Sequence, residues 1–195
     1  MAKCNMGDFD KEDMTGWKQH AINAAKEWVL QNAVILDTET TGLDSTAQAI
    51  EISVCDIHGQ TLFHTRLWPS TDIAKEAQAV HGISLEDLAF EPTWPDVVNQ
   101  LVTAIDNRPI VSFNAEFDDR IIQQTAQAFG TESPFKIKRC AMFVAAIFNH
   151  RTKLRISLKS ALEMFKLDWE GRQHTATADA LMTSKLIRAI SEAQV

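Results

Sequence analysis

Asp37 and Glu39 close the run Val34-Ile35-Leu36-Asp37-Thr38-Glu39-Thr40-Thr41-Gly42, where a short apolar stretch drives into two carboxylates and a turn. Read as a strand, the stretch sends Asp37 and Glu39 to one face, with Cα atoms about 7 Å apart, and Thr38 to the other. Hard divalent cations such as Mg²⁺ prefer oxygen ligands, and a stiff strand end can keep two carboxylates poised against their repulsion. A lone Asp-x-Glu reads equally as polar punctuation before the Gly42 turn. Two further acids sit on apolar stripes. Ile121, Ile122, Thr125 and Phe129 form a helical stripe that extends back one turn to Asp118, and Met182, Leu186 and Ile190 form another that extends back to Asp179. Asp119, one position on from Asp118, is expected to be an ordinary surface acid. Singly, Asp118 could cap its helix and Asp179 could edge a polar face. Together, Asp37, Glu39, Asp118 and Asp179 in one pocket make electrostatic sense only with divalent metal among them.

The elements that must carry these residues follow from periodicity. Trp17, Ala21, Ala24 and Trp28 give an amphipathic helix over 16–30, packed beside the first strand and forming an N-terminal extension over residues 1–30. Residues 31–195 are expected to form a single domain. Strands are expected at 33–38, 50–57 and 61–67 as an antiparallel meander, then at 109–113 and, as an edge strand, at 135–140. Short helices interrupted at His81-Gly82 span 74–88, with Ser84 and Asp87 spaced as a capping box. Longer ones follow Pro95, cover 115–129 up to Gly130, and fill 141–149, 157–165 and 175–193. An antiparallel start followed by alternating helices and strands is an α/β pattern with a mixed sheet.

Bulk properties narrow the partners. With 45% hydrophobic residues in 195, the chain can fill a core unaided. Cys4, Cys55 and Cys140 are too far apart for a Cys-x-x-Cys site and odd in number, which suits a reducing compartment. The acidic start and the short longest apolar run, 141–148, give neither a secretory signal nor a membrane span, so a soluble, cytoplasmic protein is expected. Net charge is −7, yet residues 136–172 carry nine basic side chains against three acids. Such a local region can hold phosphates of a short strand, or can equally be a set of solvated helix faces.

Asp37-Thr38-Glu39-Thr40-Thr41-Gly42, Asn114-Ala115-Glu116-Phe117-Asp118 and His174-Thr175-Ala176-Thr177-Ala178-Asp179 resemble, in order, the three motifs of the DEDD exonuclease superfamily in its histidine branch, DEDDh. That branch includes the proofreading epsilon subunit of bacterial DNA polymerase III and exonuclease X. The resemblance covers about residues 33–192, including Val80-His81-Gly82-Ile83 and 156–162. The sister branch uses tyrosine in place of this histidine, and the chain contains no tyrosine. Phe113 stands where many relatives have histidine, at a position that is not a metal ligand.

The resemblance implies a ribonuclease H-like fold, α/β with a mixed five-stranded central sheet, three antiparallel strands then parallel ones, flanked by helices. It implies a 3′→5′ exonuclease that releases nucleoside 5′-monophosphates from single-stranded nucleic acid, DNA favoured over RNA. Asp37, Glu39 and Asp179 would hold one divalent ion and Asp37 with Asp118 a second, Mg²⁺ with Mn²⁺ able to substitute. His174 would be the general base. Thr40, Thr41 and Leu43 would grip the last nucleotide, Leu43 as a wedge against its base or, on the residue alone, as ordinary packing. His20, His58, His64 and His150 lack carboxylate context, and His81 is expected to be structural. Sixteen residues follow Asp179, too few for a polymerase-binding tail, which favours a free-standing or mobile-element nuclease. An exoribonuclease is the alternative within enzymes, and a non-catalytic nucleic-acid-binding or scaffold protein the alternative outside them.

Overall fold

The computed structural model describes residues 14–149 and 155–194, so His150, Arg151, Lys153 and Cys4 lie outside the described residues. Its centre is a sheet of order β3-β2-β1-β4-β5. β1 (Val34–Thr40), β2 (Ala49–Asp56) and β3 (Thr61–Arg66) are antiparallel, and β4 (Ile110–Ser112) and β5 (Arg139–Cys140) run parallel to β1. The sheet is the mixed, ribonuclease H-like arrangement expected from the sequence.

Side-chain alternation along β1 divides the core. Val34 and Leu36 join a cluster with Trp94, Val97 and Leu101 of α3 (Trp94–Ile105) and with Ile121 and Ile122 of α4 (Ala115–Ala128). On the other face, Ile35 packs with Met182, Leu186 and Ile190 of α7 (Ala176–Glu192) and with α5 (Ala141–Phe148) and α6 (Leu158–Met164). α1 (Met14–Leu30) covers α7 and α5 through Ala21, Ala25 and Trp28, so it lies over the helical layer and not beside β1 as its position in the chain suggested. Ile121, Ile122 and Thr125 are buried on the stripe read from sequence, as are Met182, Leu186 and Ile190. Among the described residues no helix is long and apolar enough to cross a membrane.

Local chemistry sets the ends of these elements. Thr93 and Asp96 form a reciprocal capping box at α3, Ser157 accepts the Ser160 amide at α6, and Ser84 with Asp87 closes the box expected there. α2 (Lys75–His81) stops where Gly82 turns left-handed at φ 73°. The expected strand over 135–140 is shortened to Arg139–Cys140. The Ile137 amide is spent on the Asp119 carboxylate at 2.7 Å instead of on β4, so the ladder starts late.

β1 ends on a bulge. Glu39 pairs with Glu51 but Thr40 with Ala49, and the Ala49 amide is taken by the Thr125 hydroxyl at 2.8 Å. Bulges re-aim side chains at sheet ends. The turn beyond is tied on several sides: the Thr41 amide donates to Gln48, the Ala74 amide to Thr41, and His81 Nε2 to the Thr40 carbonyl at 3.2 Å. Since the Ile83 amide donates to His81 Nδ1, the ring is the neutral Nε2-protonated form, and its burial lowers its pKa. His81 is structural, as expected.

Candidate active site

Three elements bring the acids together. Asp37 and Glu39 leave β1 on the α7 face, and Asp179 meets them from the first turn of α7; one ligand oxygen from each lies within 4.8 Å of the others. Two ionised carboxylates at that separation repel by about 3 to 4 kcal/mol at the effective dielectric of a protein site. Asp118 is not part of this triad. It approaches from the opposite face, 3% exposed on α4, and its Oδ1 accepts the Thr38 hydroxyl at 2.9 Å. Thr38, the residue between the two β1 acids, thus holds Asp118 against the strand. The four acids wrap the end of the sheet, three on one side and one on the other.

Their ionisation records the crowding. Burial, then repulsion from Asp118, Asp179, Glu39 and Glu51, raises Asp37 well above the carboxylate range. Burial and the charges of Asp179, Glu51 and Asp118 push Glu39 up to about 8. Burial takes Asp118 to about 7 against the lowering effect of hydrogen bonds from Thr38 and from its own main-chain amide. Asp179 rises to about 6, chiefly by burial, while the charge and main-chain amide of His174 pull it down. Among the described residues none of the four forms an ion pair, and Asp179 Oδ1 is buried with no hydrogen-bond partner. A buried carboxylate oxygen without a hydrogen bond, on an acid crowded by two others, fits a divalent cation, whose charge would relieve all three.

His174 is exposed in the turn before α7, with φ 60°. Its main-chain amide bonds Asp179, which places the imidazole beside the cluster without making it a member. Thr40 and Thr41 are buried; the Thr41 hydroxyl accepts the Gln48 amide and the Thr40 hydroxyl donates to the Gly42 carbonyl. Leu43, in contrast, is 77% exposed.

A family model for exonucleases of the ribonuclease T type matches residues 34–187, a span that contains all five of the acids and histidine described. The chain belongs to that exonuclease family. It is similar to the uncharacterized exonuclease CP81 of Escherichia phage 186, with 32% identity over 86% of this chain and 92% of that protein. It is also similar to the DNA polymerase III subunit epsilon of Rickettsia typhi, with 29% identity over 81% of this chain and 73% of the relative. The solved structure of exonuclease X in complex with 5′-overhanging duplex DNA matches over 80% of this chain and 90% of that one, with 25% identity and a TM-score of 0.61.

Two residues of this exonuclease depart from the sequence reading. Asp119 is half-buried, because it accepts the Ile137 amide and is bonded by Gln123 as well. His64, expected to lack a carboxylate, has Nε2 3.2 Å from Glu51 Oε1. Glu51 itself was missed. It is 3% exposed on β2, its Oε2 accepts the Ala176 amide at 2.9 Å, and Arg66 Nε lies 3.5 Å from its Oε1. No local pattern marks it, since Glu51 and Ser53 alternate with Ile50, Ile52 and Val54 as the polar positions of a half-buried strand do, and its partner at the start of α7 is 125 residues away.

Proposed function

We propose that this exonuclease removes nucleotides from the 3′ end of single-stranded DNA and releases nucleoside 5′-monophosphates. The observation that carries the reading is the triad of Asp37, Glu39 and Asp179, which have oxygens within 4.8 Å of one another and no ion-pair partner among the described residues, with Asp179 Oδ1 buried and without a hydrogen bond. Asp37, Glu39 and Asp179 would hold one divalent ion, and Asp37 with Asp118 a second, with Mg²⁺ the expected metal and Mn²⁺ a substitute. Bound there, such ions lower the pKa of a coordinated water and neutralise charge on a phosphate.

The chain supplies the remaining work. His174 stands exposed at the rim of the cluster and accepts the proton of the attacking water, a task suited to an imidazole at neutral pH. Its amide bond to Asp179 couples the position of the base to that of a metal-ligating acid. The turn at Thr40 and Thr41, locked by Gln48, Ala74 and His81, is a rigid floor for the terminal nucleotide, and Leu43 projects from it as an apolar wedge against the base. The acids lie at the end of the sheet between α4 and α7, so the 3′ end must be unpaired to reach them. DNA is preferred on the strength of the relatives: the epsilon subunit is named for a DNA polymerase, and exonuclease X was solved on DNA.

Single-turnover digestion of matched 5′-labelled DNA and RNA oligomers with Mg²⁺ tests this. The expected result is a ladder shortening from the 3′ end of the DNA, faster than for RNA. Faster cutting of RNA would reassign the substrate, and cutting of neither would remove the nuclease reading.

A further inference from the structure

Glu51 lies directly across the β1–β2 ladder from Glu39 and on the same face of the sheet. Unlike Glu39 it has both oxygens engaged, Oε2 by the Ala176 amide and Oε1 by His64 and Arg66 of the edge strand β3. It does not contribute to the triad whose oxygens lie within 4.8 Å of one another. A ligand role is therefore the poorer account of this buried acid.

Ala176 is the first residue of α7, between His174 and Asp179. His174 occupies a left-handed conformation at φ 60°, which a residue with a Cβ holds only where its surroundings fix it. Several bonds do so. The Thr175 hydroxyl donates to the Arg172 carbonyl at 3.0 Å and accepts the Ala178 amide, and Arg172 reaches the His81 carbonyl at 3.3 Å. These ties run within the turn or to the end of α2. The bond from Ala176 to Glu51 is the one among them that joins the turn to the central sheet, where Asp37 and Glu39 are also rooted.

We propose that Glu51 is a positioning residue: a latch between β2 and the start of α7 that fixes the His174 turn relative to the carboxylates of β1. The proposal rests on the reading of His174 as the base. His64 and Arg66 keep the latch carboxylate oriented, and its other oxygen receives an amide at a helix N-terminus, where a negative charge is favoured.

The test combines Glu51→Ala, Glu51→Gln and Ala176→Pro. Glutamine keeps an acceptor for the Ala176 amide. Proline deletes the donor at the first helical position, where proline is tolerated, and Thr175 already has the extended conformation a residue before proline adopts, at φ −129° and ψ 135°. Glu51→Ala and Ala176→Pro are expected to lower kcat about a hundredfold with little change in KM, the scale of a misplaced catalytic group. Glu51→Gln is expected to recover most of that loss. Added to His174→Ala, Glu51→Ala should cost no more than about a further twofold, because the two act through one group. Independently of turnover, NMR hydrogen exchange at the Ala176 amide should be slow in the wild type and in Glu51→Gln, and at least about tenfold faster in Glu51→Ala. Wild-type kcat in both Glu51→Ala and Ala176→Pro, additive losses with His174→Ala, or unchanged exchange at Ala176 would each overturn the latch. A wild-type chain that cuts neither DNA nor RNA overturns the functional reading, and the exchange measurement still decides whether Glu51 holds the turn.

Discussion

Glu39 and Glu51 face each other across two neighbouring strands, yet one belongs to a region built to be incomplete and the other to a region that is complete. Around Glu51, an amide, an imidazole and a guanidinium occupy both carboxylate oxygens. Around Glu39, the nearest charges are Asp179, Glu51 and Asp118, all of its own sign, and they help to raise it to about 8. Like charges opposite one another in an antiparallel pair are destabilising, so the fold tolerates the arrangement on one strand by satisfying the acid on the other. Burial therefore does not distinguish a ligand from a support in this protein; the presence of partners does.

The sharpest way to break that comparison is to remove an acid from the incomplete side. Asp37→Asn is expected to lower turnover about a thousandfold or more, the order lost when charge stabilisation at a reacting group is taken away. The same variant, free of metal, should melt above the wild type, because a buried repelling charge is gone. Lower melting of metal-free Asp37→Asn would show that Asp37 supports the fold as Glu51 does. His174→Ala should lower kcat about 10² to 10⁴-fold while calorimetry finds Mn²⁺ binding intact, which separates the base from the ligands. Loss of Mn²⁺ binding in that variant would make His174 a ligand.

A smaller effect concerns pH. Glu39, Asp118 and Asp179 rise to about 8, 7 and 6, so the folded, metal-free chain binds protons that the unfolded chain releases. For acids with raised pKa values, the linked stability is fully present below the unfolded carboxylate range near pH 4 and is lost as pH climbs through the folded values. Urea melts of the metal-free protein are expected to show falling stability from pH 5 to pH 8, and saturating Mg²⁺ should flatten the trend by replacing protons. Stability that rises over that interval without metal would mean that the cluster is already compensated.

The contrast also explains what the sequence made legible. Asp118 and Asp179 could be placed because a helical stripe is local: Ile121 and Ile122, or Met182 and Leu186, state which way the acid points. Asp37 and Glu39 could be paired because strand alternation is equally local. What was hidden depends on partners distant in the chain. The Asp119 carboxylate finds an amide 18 residues away, His64 finds Glu51 across a hairpin, and Glu51 finds the start of α7 from 125 residues away. The bulge after Glu39 was hidden as well, since Thr125, which takes up the freed Ala49 amide, comes from another layer. The site's charges were readable and its supports were not.

The most direct measurement is a calorimetric titration of the metal-free chain with Mn²⁺ at pH 8, with Asp179→Asn and Glu51→Gln alongside. The account predicts saturable binding by the wild type, accompanied by a rise in melting temperature, a marked weakening in Asp179→Asn, and near-wild-type binding in Glu51→Gln. A wild-type chain that neither takes up Mn²⁺ nor gains stability from it would contradict the claim that these acids converge in order to hold cations.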